Sequence, residues 1–259
     1  MQQMFCAINT IVLVLAFVCA SGTTGLAREL KTDDTSKDET AARAIVEKAI
    51  QVIGGEEKLA PFKSQSWKER GVYYGLSSDG FPYMSKLAVE WPDKFRLEIP
   101  QFMTIVLNGE HGWSKERGTT NETKGDQLAE QLEEQRCGYV SSLVPLKGKE
   151  YSLSLIEEIT IDGRPAAGVK VTQSGHRDVK LYFDKSTGLL VRSAWRVRSQ
   201  EQGGKEMSQE TSYTNYKDVL GAKIPMKIEI KRDGNRFLEA ETLDLKAGQK
   251  LDPKLFEKP

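Results

Sequence analysis

The run Lys86-Leu87-Ala88-Val89-Glu90-Trp91-Pro92-Asp93-Lys94-Phe95-Arg96-Leu97-Glu98-Ile99 alternates its large apolar residues on either side of a Pro-Asp turn. Leu87, Val89 and Trp91 fall on one side of an extended chain, and Phe95, Leu97 and Ile99 repeat the pattern. A period of two is the signature of strands with one buried and one wet face. Met103, Ile105 and Leu107 continue it up to Asn108-Gly109, a strong hairpin signal, with a return strand over 111–115. Working outward, the same period begins near residue 65. It resumes after 150 at Val169/Val171, Val179/Leu181/Phe183, Leu189/Val191 and Trp195/Val197. Ile224, Met226, Ile228 and Ile230 alternate with Lys223, Lys227, Glu229 and Lys231, and Asp233-Gly234-Asn235 turns the chain into a last strand over 237–245.

Two helices interrupt the strands. Ala42, Ile45, Val46, Ala49, Ile50 and Ile53 recur at three- and four-residue steps, with Ser36 or Asp38 as the cap and Gly54-Gly55 as the stop. The second runs from about Asp126 to Leu143, with Leu128, Leu132, Gln135 and Tyr139 on one side and Pro145 beyond its end. The sum is a mainly β, α+β chain of about ten antiparallel strands joined by tight turns. Two helices cannot cover so broad an apolar face if it is flat. The sheet is therefore expected to curl, close on itself or leave a cavity; a curled sheet with the helices across its mouth and an apolar pocket between is the economical solution.

Residues 1–27 contain no Asp, Glu, Lys or Arg, and Phe5 to Ala20 form an apolar run. At about sixteen residues it is short for a membrane span, which needs about 20, and it fits the core of an export signal. Val18-Cys19-Ala20 places cleavage after Ala20, with a second option after Ala27. This reading gives a signal peptide over 1–20, a flexible linker over 21–38 and one domain over 39–259, exported to the periplasm. A membrane anchor formed by the N-terminal segment, or acylation at Cys19, is the alternative. Cleavage leaves Cys137 as the single thiol, so the mature chain carries no internal disulfide.

Composition narrows the function. A formal net charge of zero lacks the basic excess of a nucleic-acid binder, and two His and three Cys cannot build a multi-His centre or zinc ribbon. The nucleophile-elbow, zinc-protease, phosphate-loop and dinucleotide fingerprints are absent from the sequence. His176 and Asp178 read as turn residues rather than a base and its orienter, and Cys137, among acidic neighbours, reads as structural. Arg192, Arg196 and Arg198 alternate along one strand face, as a solvated face or as a site for anionic head groups.

The layout, together with particular stretches, resembles the outer-membrane lipoprotein-sorting proteins, the LolA/LolB-like periplasmic carriers. These stretches are Ala49-Ile50-Gln51-Val52-Ile53-Gly54-Gly55, Gly168-Val169-Lys170-Val171, Asp178-Val179-Lys180-Leu181-Tyr182-Phe183-Asp184, Thr187-Gly188-Leu189-Leu190, Gly221-Ala222-Lys223-Ile224-Pro225-Met226-Lys227 and Leu251-Asp252-Pro253-Lys254-Leu255-Phe256. The resemblance implies an incomplete antiparallel β-barrel, a half-barrel over 39–259 covered by helices, whose apolar cavity shields acyl chains. It implies a non-catalytic, monomeric carrier of lipid or lipoprotein acyl chains, with no cofactor, metal or nucleic acid. An envelope protein partner and transient membrane contact are compatible with it. The family's functional arginine has no secure match; Arg70, on an early strand, is the candidate. The expected cavity lining is Ile45, Ile50, Ile53, Leu87, Val89, Trp91, Phe95, Leu97, Ile105, Leu107, Leu181, Phe183 and Ile228. The alternative is an envelope scaffold that uses the same fold with its interior filled.

Overall fold

The computed structural model describes residues 31–199 and 202–259. The expected signal peptide and both cleavage sites lie outside the described residues. Helix α1 spans Lys31–Val52. It starts ahead of both expected caps, so residues 31–38 of the expected linker are helical. Asp38 is not a cap; its carboxylate accepts the Leu155 backbone N–H at 3.2 Å and ties the helix to a strand. The helix stops where expected. Gly54 and Gly55 have φ of 123° and 80°, and a Cβ on Gly54 would sit 2.6 Å from the Gly221 carbonyl oxygen. That close approach lets the Ile53 carbonyl accept the Lys223 N–H at 2.9 Å.

A short helix α2 (Gly55–Leu59) leads into the sheet. Its strands are β1 (Ser64–Tyr73), β2 (Phe81–Glu90), β3 (Lys94–Ile99), β4 (Met103–Asn108), β5 (His111–Glu116) and β6 (Thr119–Thr123). After helix α3 (Gly125–Ser141) come β7 (Ser152–Ile161), β8 (Arg164–Thr172), β9 (Val179–Asp184), β10 (Leu190–Ser199), β11 (Lys205–Val219), β12 (Ala222–Arg232) and β13 (Asn235–Ala247). All belong to one antiparallel sheet of 13 strands, in the order β6-β5-β4-β3-β2-β1-β13-β12-β11-β10-β9-β8-β7. The sheet curls but does not close, since β6 and β7 remain edges. It is thus two meanders joined by the β1–β13 ladder.

The expected count of strands was short by β6, β7 and β11. Strand β6, Thr-Thr-Asn-Glu-Thr, has no apolar residue to reveal a period. In β7 a bulge between Ile156 and Ile159 breaks the alternation. Along β11 the inward positions include Gln209 and Thr211, so its buried face is partly polar. Tight turns join these strands. Asp162-Gly163, Leu220-Gly221 and Asp233-Gly234 all have positive φ at both residues, as two-residue hairpin loops require.

The main core lies between the helices and the second meander. Ala42, Val46, Ala49 and Ile50 of α1, with Cys137 and Val140 of α3, pack on Val169, Val179, Leu181, Phe183 and Val197. The side of α3 facing this core is centred on Glu130, Cys137 and Val140 rather than on the expected Leu128–Leu132–Gln135–Tyr139 side. The latter side meets the first meander instead. Tyr139 stacks on Trp91 with ring centroids 5.3 Å apart, and Gln135 Nε2 donates to the Pro92 carbonyl at 3.1 Å. A helix touched on both sides has a weak apolar stripe, which explains why its sequence pattern misplaces its core face.

A smaller cluster lies on the opposite, convex face. The C-terminal turn Pro253–Phe256 covers Ala88 and Val106, with Trp113, Leu251 and Leu255 around them. Arg96 donates to the Leu255 carbonyl at 3.3 Å and Asn108 to that of Phe256 at 3.2 Å.

Candidate functional site: the concave face

Strand register decides which expected residues share a surface. Leu87 pairs with Trp67 on one side and Leu97 on the other, and Leu97 pairs with Ile105. Val89, Phe95 and Leu107 form the adjoining row. Directly opposed residues in a sheet point to the same side. This side is the concave one: a Cβ on Gly112, the partner of Leu107, would lie 2.6 Å from Leu128 of α3. Ile228 joins the same surface through Ala240, which pairs with it and with Gly71. Leu87, Phe95, Leu97, Ile105 and Ile228 are half-buried, while Val89 and Leu107 are buried. Trp91, just past β2, is half-buried under Tyr139.

The other expected lining residues sit elsewhere. Ile50, Ile53, Leu181 and Phe183 are at most 7% exposed within the packed core, and Ile45 packs against that core. Ile50 also borders a cleft of about 280 Å³, with Leu59, Leu143 and Val144. The structure therefore separates the thirteen residues into a filled region beneath the helices and a half-buried apolar face on β2–β4 and β12.

Polar groups punctuate the concave face. Glu69 and Ser85 oppose each other on β1 and β2 and are 9% and 2% exposed. Tyr83 donates its hydroxyl to Glu69 Oε1 at 2.6 Å. Burial pushes the Glu69 carboxyl above its ordinary pKa, against the hydrogen bonds of Tyr83 and Trp67. Arg232, buried at the end of β12, places its guanidinium 3.7 Å from the Phe237 ring centroid and donates to Gln209 at 2.8 Å and to Glu134 of α3 at 3.1 Å. Its place was readable: Ile228, Ile230, Arg232 continue one alternation. Arg70 does not face the helices. It lies on the convex face, exposed, with Glu241 at 2.7 Å.

Helix α3 is clamped over this face by charge. The Glu130 carboxylate takes both Nη atoms of Arg177 and the Arg198 N–H at 2.8 Å. Burial raises the Glu130 pKa, but these bonds outweigh it and hold the group below the ordinary carboxylate value. Glu133 receives Arg136 at 3.0 Å, the Arg177 N–H at 2.9 Å and His176 Nδ1 at 2.8 Å. His176 is thus paired with Glu133, while Asp178 faces Lys170 at 3.7 Å. Burial pushes the Cys137 thiol up to about 12, unsuited to a nucleophile. Among the described residues no cluster of three or more His, Cys, Asp or Glu could hold a metal ion.

Arg196 and Arg198 border a separate convex cleft of about 480 Å³ with Arg177 and Lys180. Their charge is largely spoken for: Arg196 pairs with Glu206 at 2.6 Å and Arg177 with Glu130. Arg192 pairs with Glu210 at 3.2 Å.

This architecture, an unclosed antiparallel sheet curled beneath helices, defines a class of fold. It is the LolA-like fold. A LolA superfamily protein from Nitrosomonas europaea superposes with a TM-score of 0.56 at 15% identity, over 84% of this chain and 97% of that one. An outer membrane lipoprotein-sorting protein domain from Vibrio parahaemolyticus gives 0.53 at 12% identity, over 82% and 97%. A DUF1329 family protein from Desulfovibrio piger gives 0.57 at 10% identity, over 83% and 97%. No family model matches the sequence, and no curated protein does. No helix among the described residues is long and apolar enough to cross a membrane.

Proposed function

We propose that the protein is a non-catalytic binder of lipid or lipoprotein acyl chains, held against the concave face of β1–β4 and β12. The observation that carries this reading is the half-buried apolar row of Trp67, Leu87, Leu97 and Ile105 on the helix side of the sheet, with Ile228 on the same side beyond the Glu69–Ser85 row. Moving acyl chains onto such a surface gains about 0.8 kcal/mol per buried methylene, so binding requires no reactive group. The fold shared with lipoprotein-sorting proteins supports the reading, and the apolar run from Phe5 to Ala20, taken as an export signal, supports a periplasmic site of action. Leu97→Asp tests it: a charge on this face abolishes uptake of a fluorescent fatty acid in a protein that still melts cooperatively. The companion measurement is mass spectrometry of organic extracts of protein purified without detergent from its native envelope. Stoichiometric lipid is expected. Lipid-free protein that takes up no added acyl chain overturns the proposal.

The packed region beneath α1 favours the second reading in part. With Ile50, Leu181 and Phe183 buried in one packed cluster, that half serves as a scaffold, and the ligand belongs to the other half. An envelope protein partner recruited by the folded surface would then accompany, rather than replace, acyl binding.

A further inference from the structure

The concave face contains polar groups that its packing does not explain. Glu69 is a nearly buried acid flanked across the ladders by Ser85 and Thr242, with the apolar Trp67, Leu87 and Ala240 in the adjoining rows, and no cation pairs with it among the described residues. Ser85, directly across the β1–β2 ladder, is 2% exposed, and its Oγ has no hydrogen-bond partner. Such a buried hydroxyl lowers stability, because its desolvation is not repaid. The arrangement is also built rather than incidental. The Tyr83 ring lies across Gly71, where a Cβ would come within 2.7 Å of the ring, and this path brings its hydroxyl to Glu69.

We propose that Glu69, Tyr83 and Ser85 form a polar niche in the apolar face that receives an uncharged, hydrogen-bonding head of an acyl ligand, an amide or a hydroxyl. The inference rests on the acyl-binding reading and adds its head-group selectivity. An amide or hydroxyl both donates and accepts, so it can donate to a Glu69 carboxyl oxygen and accept from the free Ser85 hydroxyl. A carboxylate head would face Glu69 as a like charge, and an ammonium would require burying an ion pair at a high desolvation cost.

The test compares dodecanamide, dodecanol, dodecanoate and dodecylamine as competitors of a fluorescent fatty acyl probe, on the full chain and on Ser85→Ala. The wild type is expected to take the amide and the alcohol about tenfold more tightly than the two charged probes. Ser85→Ala is expected to lose most of that preference. Its melting temperature should be equal or higher, because only an unsatisfied hydroxyl is removed. Glu69→Gln is expected to relieve the penalty on dodecanoate. Equal binding of all four probes, tightest binding of dodecylamine, or an unchanged preference in Ser85→Ala overturns the niche while leaving acyl binding in place. A marked fall in the melting temperature of Ser85→Ala gives the hydroxyl a structural role and also overturns the niche. Failure of every probe, including the reporter, overturns the acyl-binding reading and the niche with it.

Discussion

Removing either side of the Glu130–Arg177 pair should loosen α3 by an amount the structure sets. The Glu130 side chain is 5% exposed and that of Arg177 24%. Breaking a fully buried pair by deleting one partner costs about 3–5 kcal/mol, and a surface pair is worth about 0–1. The partial exposure of Arg177 places Glu130→Ala and Arg177→Ala between these, at about 2–3 kcal/mol each. Of the two, Arg177→Ala is the more damaging, since it strands the more deeply buried charge. For a domain of this size the melting temperature falls by about 4–12 °C. A double-mutant cycle by urea unfolding at neutral pH should return a coupling of about 1–3 kcal/mol. The pH dependence follows from the lowered Glu130 pKa. Its stabilisation is complete above the unfolded carboxylate value of about 4.3 and is lost as pH falls through the lower folded value. Glu130→Gln should therefore flatten the acid limb of the stability curve. A coupling below about 0.5 kcal/mol, the range of an exposed pair, refutes the view of α3 as an electrostatically clamped element.

Three further outcomes are expected. Phe256→Ala empties the convex cluster over Ala88 and Val106, and the loss is about 3–5 kcal/mol by chemical denaturation, the range for deleting a buried aromatic. Asp184→Asn weakens the turn after β9, where Oδ1 accepts from Ser186 N, Ser186 Oγ, Thr187 N and Thr187 Oγ1. The Ser186 hydroxyl leads the causes that lower the Asp184 pKa to about 2, so the wild type loses this contribution as pH falls from about 4 through about 2, and melts of Asp184→Asn lack that step. Ile50→Asp, at a 2% exposed core position, abolishes the cooperative melt, whereas Leu97→Asp on the half-buried face leaves it in place and removes acyl uptake.

Much of this architecture was legible because one face of most strands is apolar and the other wet. The runs around Leu87, Phe95, Ile105, Leu181 and Ile228 announce their strands by period alone, and their shared curvature follows from having too few helices to cover them. The three unread strands are those in which that contrast fails: β6 lacks apolar residues, β11 turns Gln209 and Thr211 inward, and β7 changes phase at its bulge. The candidate site was legible in half. Periodicity marks which residues face inward, but it does not reveal whether an inward residue meets a helix or stands clear of one. Ile50 and Leu97 look alike in sequence and have different surroundings. The niche gave no sequence signal, because Trp67, Glu69 and Gly71 alternate with Lys68 and Arg70 and show no apolar contrast. Its members meet only once β1 and β2 are in register.

The joining of two meanders at β1–β13 has a consequence for how the chain folds. Every other neighbouring pair in the sheet is formed by strands consecutive in sequence, so most of the ladder can zip up from local hairpins. The seam is different: Ser64 Oγ reaches the Gln249 carbonyl across 185 residues. Closing so long a loop carries an entropic cost that hairpins do not, which makes the seam the slow, late step of assembly. Until it forms, β1 and β13 are the bare margins of two separate ribbons, and it is there that a nascent or stressed chain is most exposed to pairing with a neighbour.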